Sequence, residues 1–234
     1  MVRRKFPQTA DTKTNILHAA ERLFRRRGYD ATSVQAIIDA ARVSKGTFYY
    51  YFKSKEELLD ALIEHLTHEV LKDIRAAVES EPASAVARLN RFLMALKAWR
   101  LRDMALFKNA LQVLLRDENA IIREKSLKRN IALVSPLLGE IIRQGIDAGV
   151  FHVSDAEDTA ELIIHIWTHL GEDTACALRD SKDVNSAVRT ILRRVNFSIE
   201  AVERLLGAQH GAIERFDEGF LSQIMSAFYS HPAS

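Results

Sequence analysis

Residues 32–58 read TSVQAIIDAARVSKGTFYYYFKSKEEL. Val34, Ile37, Ile38 and Ala41 fall on one face of a short helix, and Thr32 with Gln35 has the spacing of a capping box at its start. Ser44 is placed to cap a second short helix from Lys45, in which Phe48 and Phe52, four apart, turn inward together. Only Arg42, Val43 and Ser44 separate the two, which are the proportions of a helix-turn-helix. With the phenylalanines inside, Lys45, Gly46, Tyr49 and Tyr50 turn outward. Glycine inside a helix costs about 1 kcal/mol relative to alanine, so Gly46 marks a place where something approaches the backbone closely.

The rest of the chain extends the helical pattern. From Thr14, the residues Ile16, Leu17, Ala20, Leu23 and Phe24 keep a 3.6-residue period, and Gly28 supplies a left-handed stop. Ser54 with Glu57 forms another capping box, ahead of a long helix carrying Leu58, Leu59, Leu62, Ile63, Leu66 and Val70. Pro82, within residues 80–83, breaks this helix. Beyond it the periodicity predicts helices over 85–100, 104–116, 119–148, 156–178, 185–207 and 213–228, with a kink or break at Pro136. No strand alternation appears, and 9 glycines and 4 prolines in 234 residues leave long uninterrupted stretches. The expected fold is all-α: an N-terminal helix-turn-helix domain of three helices, residues 1–55, then a larger helical domain, residues 56–234.

Charge divides the chain at the same place. Residues 1–55 hold twelve lysines and arginines against four acidic residues, a net +8, which leaves −6 on the remainder of a chain of net +2. A compact basic segment suits phosphate neutralisation, and an acidic remainder is repelled by the same polyanion. The one cysteine, Cys176, cannot form an internal disulfide. There is no leader-like or membrane-spanning run, so a soluble, cytoplasmic protein with no membrane partner is expected. Neither a Gly-x-Ser-x-Gly elbow nor a phosphate-binding glycine loop occurs, so no catalytic residue and no cofactor is assigned. Glu161, His165, His169 and Asp173 recur every four residues, but Ile166 stands where a zinc protease helix carries glutamate. They are read as a polar stripe, with no metal assigned.

The run from Val43 to Leu58, preceded by Gly28-Tyr-Asp-Ala-Thr-Ser33, strongly resembles the DNA-binding domain of TetR-family transcriptional regulators. The shared pattern is a glycine, a bulky apolar residue, tyrosine, any residue, an aromatic or histidine, phenylalanine, then lysine and leucine. Gly145-Ile-Asp-Ala-Gly-Val-Phe151 is similar to the end of a long central helix in that family. Carried over by position, the resemblance implies that Ser33, Gln35, Ser44, Lys45, Gly46, Thr47, Tyr49, Tyr50 and Lys55 meet a double-stranded DNA operator. Gln35 and Lys45 suit base edges, whereas Ser33, Thr47, Tyr49 and Lys55 suit phosphates.

The resemblance also implies a regulator, a repressor released from a palindromic operator by a small-molecule effector. The alternative is a helical scaffold or ligand-binding module whose DNA binding needs no effector. Val188, Leu192, Val195, Ile199, Val202 and Leu206 form a four-three seam that needs a partner helix. A neighbour in the same chain would satisfy it, but the resemblance implies a homodimer closed by the last long helices. Phe92, Trp99, Phe107, Leu111, Leu114 and Trp167, with His165 and His169 on the polar stripe, are candidates for lining a largely apolar effector pocket, or else are core.

Overall fold

The structure, a computed structural model, describes residues 10–102, 116, 119–180, 184–219 and 221–222. Among the described residues the regular structure is helical throughout: α1 (Ala10–Arg27), α2 (Val34–Ala41), α3 (Lys45–Tyr51), α4 (Lys55–Glu79), α5 (Ala85–Arg102), α6 (Ala120–Asp147), α7 (Ala156–Asp180) and α8 (Val184–Leu206). The described residues divide into two compact units, 10–66 with 116 and 119–126, and the remainder. The first boundary falls inside α4, between Leu66 and Thr67, rather than at residue 55. The reason is packing: Leu58, Leu59 and Leu62 belong to the N-terminal core.

That core is built by the apolar faces the sequence marks. Ile16, Ala19, Ala20 and Phe24 of α1 meet Ile37 and Ile38 of α2, Phe48 of α3, and Phe52. Gly28 ends α1 with φ 78°, and its carbonyl accepts the buried hydroxyl of Thr32 at 2.7 Å. Thr32 therefore does not cap α2. Ser33 does, accepting the Ala36 N–H at 3.1 Å, because a residue whose hydroxyl is committed inside the turn cannot also face the helix end. At the other end, Asn15 of α1 donates to the Ala41 carbonyl at 2.8 Å and satisfies an otherwise orphaned helix terminus.

The second unit gathers α4 residues Val70, Ile74 and Val78 with Leu89 and Phe92 of α5, Leu138, Ile141 and Ile142 of α6, Ile163 of α7, and Val202 and Leu206 of α8. α6 runs through Pro136 without a break. Leu137, Leu138, Ile141 and Ile142 are all buried just beyond it, and their packing outweighs the roughly 3 kcal/mol a helical proline costs. The helix ends where Val150 and Phe151 both donate to the Gly145 carbonyl, at 2.9 and 3.0 Å. Gly145 is required sterically: a Cβ there would lie 1.9 Å from the Phe151 ring.

The seam of α8 is filled within the chain, since Val188, Ile199, Val202 and Leu206 are buried and Leu192 and Val195 pack against buried clusters. Of the two partners the spacing allowed, the neighbour in the same chain is therefore present for most of the seam, while Leu192 and Val195 stay half-exposed. Residues 213–217 are not helical; helix resumes only at residue 218. Side chains have taken their backbone groups. Asn90 accepts from the Glu214 N–H and donates to the Ala212 carbonyl, Asn196 does the same with Phe216 at both groups, and Glu203 accepts from the Ile213 N–H.

Glu203 is 1% exposed and also accepts from Arg215 at 2.7 Å. Replacing it by alanine strands the buried Ile213 amide and leaves Arg215, which is partly exposed, with only the Asn196 carbonyl, and should cost about 1–3 kcal/mol. The expected outcome for Glu203→Ala is a lower thermal midpoint and new protease cleavage between residues 207 and 217; an unchanged melting curve would show that the contact carries no stability.

Candidate nucleic-acid interface

α3 is only seven residues long, and three features fix it. Ser44 at its N-cap accepts the Thr47 N–H at 3.0 Å, the Ser44 and Thr47 hydroxyls lie 2.8 Å apart, and Phe48 is wholly buried. What remains points away from the core: Ser44, Lys45 and Gly46 are exposed, and Tyr49 and Tyr50 are 45% and 68% exposed. The rings are not loose. Tyr49 stands edge-on to Phe48 with centroids 5.3 Å apart, and Tyr50 edge-on to Tyr51 at 5.0 Å.

Gly46 has room. An added Cβ would meet nothing nearer than the Ser44 Oγ at 3.8 Å, so the chain itself does not demand glycine there.

On α2, Ser33 and Gln35 are exposed in the first turn, and the Gln35 amide donates to Asp39 at 2.8 Å. Lys55, expected at phosphates, is already engaged within the chain. Its ammonium donates to the carbonyls of Tyr29 and Thr32, at 3.0 and 3.1 Å, and sits 4.1 Å from the centre of the Tyr29 ring. Burial pushes its pKa down. Two of its three donors thus hold the turn before α2, and only one is left for any phosphate. Beside it, the Tyr29 hydroxyl donates to Glu56 at 3.0 Å, and burial together with that carboxylate pushes the phenol pKa up.

Arg42 and Asp39 were not singled out from the sequence. Arg42 caps α2 with φ 54°, the one non-glycine residue with positive φ among those described, and it is exposed. Nothing in the run Ala41-Arg42-Val43 signals this conformation, which usually selects glycine. The contact of Asp39 was legible as an i, i+4 pair with Gln35.

The candidate pocket residues separate. Phe92 is buried and stacks on Trp167 with centroids 6.2 Å apart, and Trp99 packs against the same cluster. His165 and His169 are exposed on the opposite side of α7 from Trp167, two residues away in each direction, so they do not join these aromatics. Phe107, Leu111 and Leu114 lie outside the described residues. An open groove of about 420 Å³ is lined by Ser84, Val86, Ala87, Asn90, Arg91, Met94 and Glu214, none of them a candidate from the sequence. Among the described residues no three histidine, cysteine or acidic side chains are gathered for a metal ion. Nor is any helix among them long and apolar enough to cross a membrane.

Residues 16–62 match the bacterial regulatory proteins of the tetR family. The HTH-type transcriptional regulator TtgR of Pseudomonas putida is 40% identical over 81 residues, 35% of this chain and 38% of that one, so the chain spans well under half the length of this relative. The likeness to YhgD of Bacillus subtilis, an uncharacterized HTH-type transcriptional regulator, reaches further: 30% identity over 166 residues, 68% of this chain and 82% of that one. The crystal structure of RolR in complex with resorcinol superposes with a TM-score of 0.64 at 17% identity, covering 92% of this chain and 93% of RolR, which is a likeness of fold.

Gly46→Ala separates fold from interface. It should raise helix stability by about 1 kcal/mol, seen as a higher thermal midpoint, while weakening binding to duplex DNA. A variant that is more stable and binds DNA as tightly as the parent would remove Gly46 from the interface.

Proposed function

We propose that this chain, which belongs to the tetR family of bacterial regulatory proteins, binds a palindromic DNA operator as a homodimer and acts in the cytoplasm as a repressor released by a small, largely apolar molecule. The observation that carries the reading is the outward face of α3, where Lys45, Gly46, Tyr49 and Tyr50 stand exposed on a helix fixed from behind by Phe48. That face lies in a segment of net +8, which supplies the sequence-independent attraction.

A dimer follows from duplex geometry, since two such helices must enter major grooves about 34–36 Å apart. With the seam of α8 already filled, the pairing surface is drawn from the outer faces of α7 and α8, where Leu162 and Phe197 are 48% and 66% exposed. The effector reading is supported by the Phe92–Trp167 stack and the adjoining Trp99, an aromatic group in the second unit's core. RolR, which shares the fold, holds resorcinol.

Selection from randomised duplexes with the purified chain tests the DNA reading. Bound fragments should contain inverted repeats, and affinity should fall with salt at a log-log slope near −0.9 for each phosphate neutralised. Lys45→Ala should relax preference at particular base pairs by about 1–3 kcal/mol. Binding that ignores sequence would defeat the proposal. For the dimer, Phe197→Glu should yield folded monomers in sedimentation, because the side chain is exposed within one chain; an intact dimer would place the pairing surface elsewhere.

A further inference from the structure

Gln35 and Asp39 form a pair whose chemistry is more specific than its position on a helix surface. The amide nitrogen of Gln35 donates to Asp39 Oδ1 at 2.8 Å, and both side chains are exposed. A carboxylate only accepts hydrogen bonds, whereas a glutamine amide has one end that donates and one that accepts. The contact therefore fixes which way round the amide stands. Its nitrogen faces Asp39, its oxygen faces away, and one of its two N–H bonds is consumed. What Gln35 still offers is one acceptor and one donor, side by side.

In the major groove, adenine presents N7, an acceptor, beside the N6 amino group, a donor, and this is the edge that matches. Guanine presents two acceptors, N7 and O6. An unconstrained amide can turn both N–H bonds toward them. An amide held by Asp39 would set its oxygen against one of them, which is repulsive. Resting on the DNA-reading role proposed above for Gln35, we propose that Asp39 is a positioning residue that restricts Gln35 to adenine and rejects guanine at the base pair Gln35 reads.

Selection from randomised duplexes with the full chain and with Gln35→Ala locates that base pair as the one whose preference disappears in the variant. Asp39→Asn then provides the test. Asparagine keeps the size of the side chain but can donate as well as accept, so it no longer dictates the amide's direction. The lost negative charge should also leave affinity for all duplexes equal or higher, with the salt slope and the thermal midpoint unchanged. The parent should prefer adenine over guanine at that position by about tenfold or more, and Asp39→Asn should narrow the preference to within about threefold. Asp39→Ala should do the same, and adding Gln35→Ala to Asp39→Asn should change little further. Replacing N7 of that adenine by carbon should weaken the parent more than Asp39→Asn.

A merely helix-stabilising contact would lower stability and leave base preference alone, and that result would overturn the assignment. So would a Gln35-dependent position that selects a base other than adenine, or an adenine preference that survives in Asp39→Asn. A parent chain that binds every duplex alike would overturn the DNA-reading proposal itself, which distinguishes the two failures.

Discussion

A helix of seven residues does not persist in water by itself, because the cost of nucleation is spread over too few hydrogen bonds. α3 therefore depends on what its inward side meets. Phe48 is wholly buried against a cluster drawn from α1, α2 and α4, with Phe52 just beyond the helix end and their ring centroids 6.0 Å apart. Burying one such ring is worth about 1.5–3 kcal/mol, more than a single turn of helix supplies. That one anchor fixes the rotation of the helix about its axis, and hence which residues face outward.

Behind the interface sits a second fixed group. The ammonium of Lys55, in the first turn of α4, bonds the carbonyls of Tyr29 and Thr32, while Glu56 accepts from the Tyr29 hydroxyl. Burial works against the Glu56 carboxylate, but the backbone N–H at that helix end and the hydroxyls of Ser54 and Tyr29 hold its pKa below the usual range. The start of α4 thus grips the turn that precedes α2. This explains why a lysine chosen from the sequence for its charge serves first as a clamp: residue type and position near a helix start do not reveal whether two carbonyls of a distant turn already stand within reach.

The same distinction separates what was legible in the sequence from what was not. Apolar periodicity and the caps at Ser44 and Ser54 depend on neighbours within one turn of helix, and they marked α1, α3 and α4 correctly. Long-range competition was invisible. Thr32 looked like a cap until its hydroxyl was claimed by Gly28, 213–217 looked helical until Asn90, Asn196 and Glu203 took its backbone groups, and of the kink or break that Pro136 announced the packing around it allows no break. The α8 seam is the clearest example. Its spacing correctly announced a partner helix, but spacing cannot say whether that partner belongs to the same chain.

The outward groups of the proposed interface are of two kinds, and the difference follows from how each is held. Ser33, Ser44, Gln35 and Tyr49 each have an internal contact that sets their direction while leaving a donor, an acceptor or a ring edge free. Ordering a mobile side chain on binding costs about 0.5–1.5 kcal/mol, and a group already held escapes most of that loss. Fixed direction also makes a mismatch expensive, because the group cannot turn away from a wrong base. Arg42 is a long, exposed cation, and a charge attracts phosphate from any direction. In the reading proposed above, a preset direction therefore serves base recognition at Gln35 and register on the phosphates at Ser33 and Tyr49, and in each case it is set by the folded chain before any duplex arrives.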